Sequence, residues 1–182
     1  MSWITKKSFQ KIKVFDLRNN ILIDFFHVAP IETVQFGNGI RQIVSTSQEQ
    51  GILVGTIAND ITHYSEEKGH TDIQIGHGNE VWALDTAENV LVTAGRDGRI
   101  VMRDIVTGLT IWLVTVADAI NSVVIQPELC NVFAGSISGK IFAFSLEGDT
   151  LFEIKVVSQE ISVLSFNDSG DVQGVFNFSN LV

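Results

Sequence analysis

The chain has 182 residues, enough for one ordinary domain, and 45% of them are hydrophobic, so a sizeable core can be built. Only 18% are charged and the formal net charge is −9 at pH 7, against about 25% charged in an average domain; with no basic face in view, this balance argues against a nucleic-acid binder. A single cysteine, Cys130, excludes an intrachain disulfide, no apolar run approaches the ~20 residues of a bilayer-crossing helix, and no signal-peptide core follows the N-terminal lysines, so the simplest expectation is a soluble intracellular protein with no membrane partner.

In chain order, the first 18 residues carry Lys6, Lys7, Lys11, Lys13 and Arg18 against one acid, Asp16. This basic start reads as a solvated strand edge, where charge discourages strand-to-strand aggregation. The strand 11–16 alternates apolar and polar residues and closes on Phe15-Asp16. Phe25 and Phe26 are expected in the core. Next come the runs 39–44 and 52–56, then a strand closing on Tyr64-Ser65. Gly76-His77-Gly78-Asn79-Glu80 opens the following stretch and leads into Val81-Trp82-Ala83-Leu84, a second apolar run 91–95, an Asp97-Gly98 turn and a third strand closing on Arg103-Asp104. The series continues through 120–125, 132–136 and a strand closing on Phe144-Ser145, and ends with 161–166 and a last strand near 174–178. Val, Ile and Phe dominate, which favours strands, and no segment shows a convincing amphipathic helix.

These elements repeat. The closing dipeptides fall 49, 39 and 41 residues apart. The second strands end in small residues at Gly55-Thr56, Ala94-Gly95 and Gly135-Ser136, as suits a place where neighbouring strands approach closely. A Gly-His opening followed by strand, strand, Asp-Gly turn and strand, at a period of about 40–45 residues, describes one blade of a β-propeller. The expected fold is therefore all-β: a partial propeller over 1–182, with a blade end at 1–28, blades at 29–69, 70–112 and 113–155, and a blade start at 156–182. Propellers close with roughly four to eight blades. This chain is read as about four blade equivalents of a larger ring, the other blades coming from the same longer chain or from another one. A four-blade ring closed on itself is the competing arrangement.

The residues also resemble WD-repeat proteins, and more narrowly the echinoderm microtubule-associated protein-like family. That resemblance rests on Ile40-Arg41-Gln42-Ile43, then Ile52-Leu53-Val54-Gly55-Thr56, then 76–84, in the order and at the spacing of the family's strands. It implies a non-catalytic scaffold for protein–protein interaction, with tubulin or axonemal and other cytoskeletal proteins as partners, in the cytoplasm, on the cytoskeleton or in the cilium. It also implies a hydrogen-bonded structural network across one blade, at His77, Thr93, Asp97 and Arg103. The repeat's closing tryptophan is replaced at Phe15, Tyr64, Arg103 and Phe144.

Candidate partner contacts are Trp112, Glu66, Glu67 and Asp149, in or beside the loops 65–75, 104–109 and 146–150. Tryptophan is common at binding hot spots, although packing between blades is the favoured reading for Trp112 and Trp82. His63, His70 and His77 stand seven residues apart near Asp60, Glu66, Glu67 and Asp72; metal sites use tighter ligand pairs, so no metal is expected. Asp168-Ser169-Gly170-Asp171 lacks the spread of oxygens that calcium requires. Neither a dinucleotide fingerprint nor a phosphate-binding loop is present, so no cofactor and no catalytic residue is assigned. The alternative class is a quinoprotein-like propeller, a quinone-dependent oxidoreductase or an assembly scaffold, suggested by Asp97-Gly98-Arg99-Ile100, Asp104, Thr107-Gly108 and Trp112.

Overall fold

The computed structural model describes residues 3–8, 11–16, 32–35, 39–46, 51–57, 59–65, 69–73, 77–126, 131–166 and 172–176. Every regular element among them is a β-strand, so none is a helix that crosses a membrane. Two compact units divide the chain, 1–40 and 41–182.

In the first unit, β1 (Trp3–Ser8), β2 (Lys11–Asp16) and β3 (Glu32–Gln35) form an antiparallel sheet in that order. The register places Lys6 opposite Lys13 and Lys11 opposite Gln35. Phe25, Phe26 and Arg18 lie outside the described residues, as does Cys130 of the second unit.

The second unit holds four antiparallel sheets, each a meander of consecutive strands. The first runs β4 (Ile40–Ser45), β5 (Ile52–Thr56), β6 (Ile61–Ser65), β7 (Gly69–Ile73). The second runs β8 (Val81–Ala87), β9 (Val90–Gly95), β10 (Arg99–Asp104), β11 (Thr110–Thr115), and the third β12 (Ile120–Ile125), β13 (Val132–Ser136), β14 (Lys140–Phe144), β15 (Thr150–Lys155). A pair follows, β16 (Ile161–Phe166) and β17 (Val172–Phe176). The leading strands start at Ile40, Val81, Ile120 and Ile161, which are 41, 39 and 41 residues apart. β7 and β11 hydrogen-bond to the strands before them, so these two sheets end at Ile73 and Thr115. β3 likewise joins β2, beyond residue 28.

Burial runs from the inner strands outward. On β9, Leu91, Val92, Thr93 and Ala94 are wholly buried, because neighbouring sheets cover both of its faces. On β15 every residue is exposed. The main core joins the second and third sheets through Val92, Ile100, Met102, Ile120, Phe142 and Phe144, each large side chain contributing about 1.5–3 kcal/mol on burial. Polar side chains tie successive sheets as well. Gln42 on β4 donates to the Leu84 carbonyl at 2.7 Å and accepts from the Leu84 N–H at 3.1 Å. The Asp85 carboxylate on β8 accepts the Ile125 N–H of β12 at 2.8 Å. Burial pushes the Asp85 carboxyl up, and the Ile125 and Thr86 N–H groups only partly offset that. The Ser122 hydroxyl donates to the Ile161 carbonyl at 3.3 Å. At Gly135 the sheets approach so closely that an added Cβ would meet the Ser122 Oγ at 2.6 Å and Ile161 at 2.7 Å, which is why the second strand carries no side chain there.

Candidate interaction surface and the network beneath it

Antiparallel meanders put alternate turns at opposite ends of a sheet. In the second sheet, the β9–β10 turn and the segment entering β8 share one end, the first rim. The β8–β9 and β10–β11 turns share the other, the second rim, joined by a hydrogen bond from the Ile105 N–H to the Asn89 carbonyl at 2.7 Å.

At the first rim the ring of His77 is buried. Its Nδ1 lies 3.0 Å from Asp97 Oδ1 and its Nε2 lies 2.8 Å from the Thr93 hydroxyl. Asp97 also accepts the Gly78 N–H at 2.7 Å and the Arg99 N–H at 3.1 Å. Burial by itself would raise the Asp97 carboxyl, but bonds from His77, Gly78 and Arg99 outweigh it and hold it below the usual carboxylate range. A carboxylate only accepts, so Nδ1 carries the proton shared with Asp97, while Nε2 bonds to the Thr93 hydroxyl. Threonine, histidine and aspartate in this order would be a nucleophilic arrangement in an open cleft. Here Thr93 is 0% exposed, so no substrate reaches its hydroxyl. What the arrangement does is hold the β9–β10 turn against the chain entering β8.

Arg103 does not join that group. It lies four residues beyond Arg99 on β10, roughly 13 Å along the strand, and its Nη1 donates to the Gly108 carbonyl at 3.2 Å, at the second rim. It is 8% exposed, its Nε is without a partner, and burial lowers the pKa of its guanidinium. Its place is beneath the β10–β11 turn.

That turn is rigid. Asp104 Oδ1 accepts both the N–H and the hydroxyl of Thr107, at 2.6 and 2.8 Å, and these bonds, backbone first, keep its carboxyl below the ordinary value. The Gly108 N–H donates to the Asp104 carbonyl at 2.9 Å and the Asp104 N–H to the Leu109 carbonyl at 3.0 Å. The turn so fixed holds Val106 63% and Leu109 69% exposed. The residues behind the quinoprotein reading, Asp104, Thr107 and Gly108, are thus the makers of this turn.

Trp112 is 8% exposed, which corrects its reading as an accessible anchor. Its indole N–H donates to the Leu146 carbonyl at 2.9 Å, its ring lies 5.9 Å from that of Phe144, and Gly148 sits against it. It fills the gap between the second and third sheets because alternation on β11 turns it inward while Ile111 and Leu113 face out. Trp82 is half-buried, donates to Glu80 at 2.9 Å and carries the Arg41 guanidinium 5.3 Å above its ring. Asp149 is exposed at the end of the β14–β15 turn, where its N–H meets the Ser145 hydroxyl at 3.3 Å. Glu66 and Glu67 lie outside the described residues, as does the 168–171 turn. Among the described residues no cluster of His, Cys, Asp and Glu is arranged to hold a metal ion. Sequence reading named the 104–109 loop but not its exposed apolar side chains Val106 and Leu109, and it missed Ile111 and Leu113 on β11. Their signal is the stretch 105–117, which contains no charged residue although it supplies an outermost strand.

No protein-family model matches the chain. Echinoderm microtubule-associated protein-like 1 of Homo sapiens is 26% identical over 156 residues, covering 84% of this chain and 18% of that protein. Echinoderm microtubule-associated protein-like 2 of Mus musculus is 28% identical over 162 residues, covering 87% and 25%. The chain thus spans 18% to 25% of the length of these curated relatives. A chain of the mitotic checkpoint complex superposes with a TM-score of 0.79 at 14% identity, over 96% of this chain and 56% of that one. The WD40 β-propeller domain of Doa1 gives 0.78 at 15%, over 94% and 56%. The fold is that of a WD-repeat β-propeller, present in part. Within that class, the sequence resembles the echinoderm microtubule-associated protein-like proteins.

Proposed function

We propose that this chain is a non-catalytic scaffold for protein–protein interaction that works with microtubule or other cytoskeletal partners. The observation that carries the reading is the hydrogen-bonded 104–109 turn, which presents Val106 and Leu109 to solvent. Exposed apolar side chains held in place lose little conformational entropy on binding. The curated relatives, which are named as microtubule-associated, supply the partner class, with tubulin the first candidate and axonemal proteins the second. The corresponding location is the cytoplasm, on the cytoskeleton or in the cilium. The His77 group and Arg103 act structurally in this reading, and no residue is given a catalytic role or a cofactor.

The test is co-sedimentation of the purified chain with polymerised tubulin, beside the double variant Val106→Ser, Leu109→Ser. The chain is expected in the pellet and the variant largely in the supernatant. A chain that neither pellets nor comigrates with free tubulin sinks the cytoskeletal partner. A quinone absorbance band in the purified protein would replace this reading with the oxidoreductase one.

A further inference from the structure

The two rims of the second unit differ in how charge is arranged: the first mixes both signs, and the second exposes acids with no exposed base among its described residues. Among its described residues, Arg41, Arg96, Arg99, Lys140 and Lys155 all sit at the first rim: at the starts of β4, β10 and β14, in the β9–β10 turn, and at the end of β15 opposite Lys140. Acids are at least as numerous at this end, where Asp60, Asp72, Glu80, Asp97, Asp118 and Glu160 also stand, with Asp97 near Arg99 and Glu153 on Lys140. The second rim holds Glu88, Asp104, Glu147 and Asp149, and its one described base is Arg103, buried under the turn. The same rim displays Val106 and Leu109 on one turn and Leu146, 40% exposed, on the next. Trp112 joins these turns through its bond to the Leu146 carbonyl. The apolar tips and the acids around them therefore belong to one continuous surface across two sheets.

We infer that this second rim docks an apolar segment flanked by lysine or arginine, supplied by a partner protein. Leucine-sized side chains on the segment cover Val106, Leu109 and Leu146, and such covered apolar contacts carry most of the affinity at an interface. Its basic flanks meet Glu88, Glu147 and Asp149, and opposite charge at the border of a contact speeds association and rejects acidic competitors. An acidic segment would meet like charge at this rim. The inference rests on the scaffold reading but not on the microtubule partner.

The experiment is selection of a random dodecapeptide library, displayed on phage, against the full chain. Affinities of the selected peptides are then measured by fluorescence anisotropy. Expected are peptides with two or more apolar residues between lysines or arginines. Their affinity should fall about tenfold or more, a change of about 1.4 kcal/mol, both in Val106→Ser, Leu109→Ser and in Glu147→Lys, Asp149→Lys. Arg96→Glu, at the opposite rim, should leave it within about twofold. Far-ultraviolet circular dichroism checks that each variant keeps its strands; the substituted side chains are all exposed. Failure to enrich any peptide, enrichment of acidic peptides, or affinity indifferent to both second-rim variants overturns the inference. Success here with no microtubule pelleting would remove the cytoskeletal partner and leave the docking rim standing.

Discussion

The second and third sheets solve one problem with different chemistry. Both meanders need a tight turn after their second strand, and both place a left-handed glycine there, Gly98 at φ +71° and Gly139 at φ +86°. In both, the glycine carbonyl accepts a hydrogen bond from the chain leaving the outermost strand, from Val116 at 2.9 Å and from Val156 at 3.0 Å. The side chains that fasten the turn differ. In the second sheet the fastening is His77, Thr93 and Asp97. In the third, the Ser138 hydroxyl donates to Asp118, and the Ser136 hydroxyl accepts the Lys140 N–H at 3.0 Å. The backbone demand is common to both sheets, while its polar fastening is interchangeable. The first sheet shows the same latitude, with Asn59 at φ +69° before β6, as the short polar side chain of asparagine allows.

Substitutions can break or sharpen this comparison. The largest loss is expected at the shared element. A Cβ on Gly98 would run into the Val116 carbonyl, and one on Gly139 into the Val157 carbonyl, in backbone that side chains rarely adopt. Gly98→Ala and Gly139→Ala should each cost about 3 kcal/mol, measured by urea denaturation. Tolerance at one glycine alone would show that the two turns do not carry the same demand. The fastenings should separate the sheets. His77→Ala leaves Thr93 and Asp97 short of a partner inside the protein and should cost about 2–3 kcal/mol, whereas Ser138→Ala removes one hydroxyl and should cost about 1 kcal/mol. Equal losses would mean that the imidazole adds nothing beyond a single hydroxyl bond.

The smallest expected effect is on the pH dependence of stability. Asp97 has its pKa lowered in the folded chain, so its contribution is present at neutral pH and is lost as the pH falls through the ordinary carboxylate range towards the lower folded value. Asp85 is raised by burial, so its contribution is present below the ordinary value and is lost as the pH rises through the raised one. Asp97→Asn should therefore flatten the acid side of the stability curve, and Asp85→Asn should reduce the loss on its less acidic side. Urea midpoints between pH 3 and 7 read both, and a pair of variants with the same pH profile would contradict the opposite signs.

Much of this was legible in the chain. Strand alternation, small residues ending the second strands and a period near 40 residues announced the meanders, since each property is local. The approach of His77 to Thr93 and Asp97 was reachable through the resemblance alone, for nothing in the spacing 77, 93, 97 reveals contact. Arg103 and Trp112 were less tractable. A basic residue in place of a closing tryptophan offers no clue to the end of the strand its guanidinium reaches, and the direction of a tryptophan on an outermost strand depends on whether a neighbouring sheet stands beside it. The uncharged run 105–117 was visible, but its meaning depended on which side chains the third sheet would cover.

By itself the sequence determined the repeat and the first three strands of each sheet with the turns between them, because these follow from side-chain periodicity and from glycine's freedom at positive φ; the outermost strands β7, β11 and β15 were not read from it, β7 falling inside the stretch 65–75 taken as a loop. Only the tertiary structure decided which polar groups are buried together, that Trp112 packs between sheets while Val106 and Leu109 stand in solvent, and that the exposed bases stand among acids at one rim while the other rim is acidic. Those outcomes depend on sheets stacking across a distance of some 40 residues, where a side chain's environment is set by its neighbour in space and not by its neighbour in the chain.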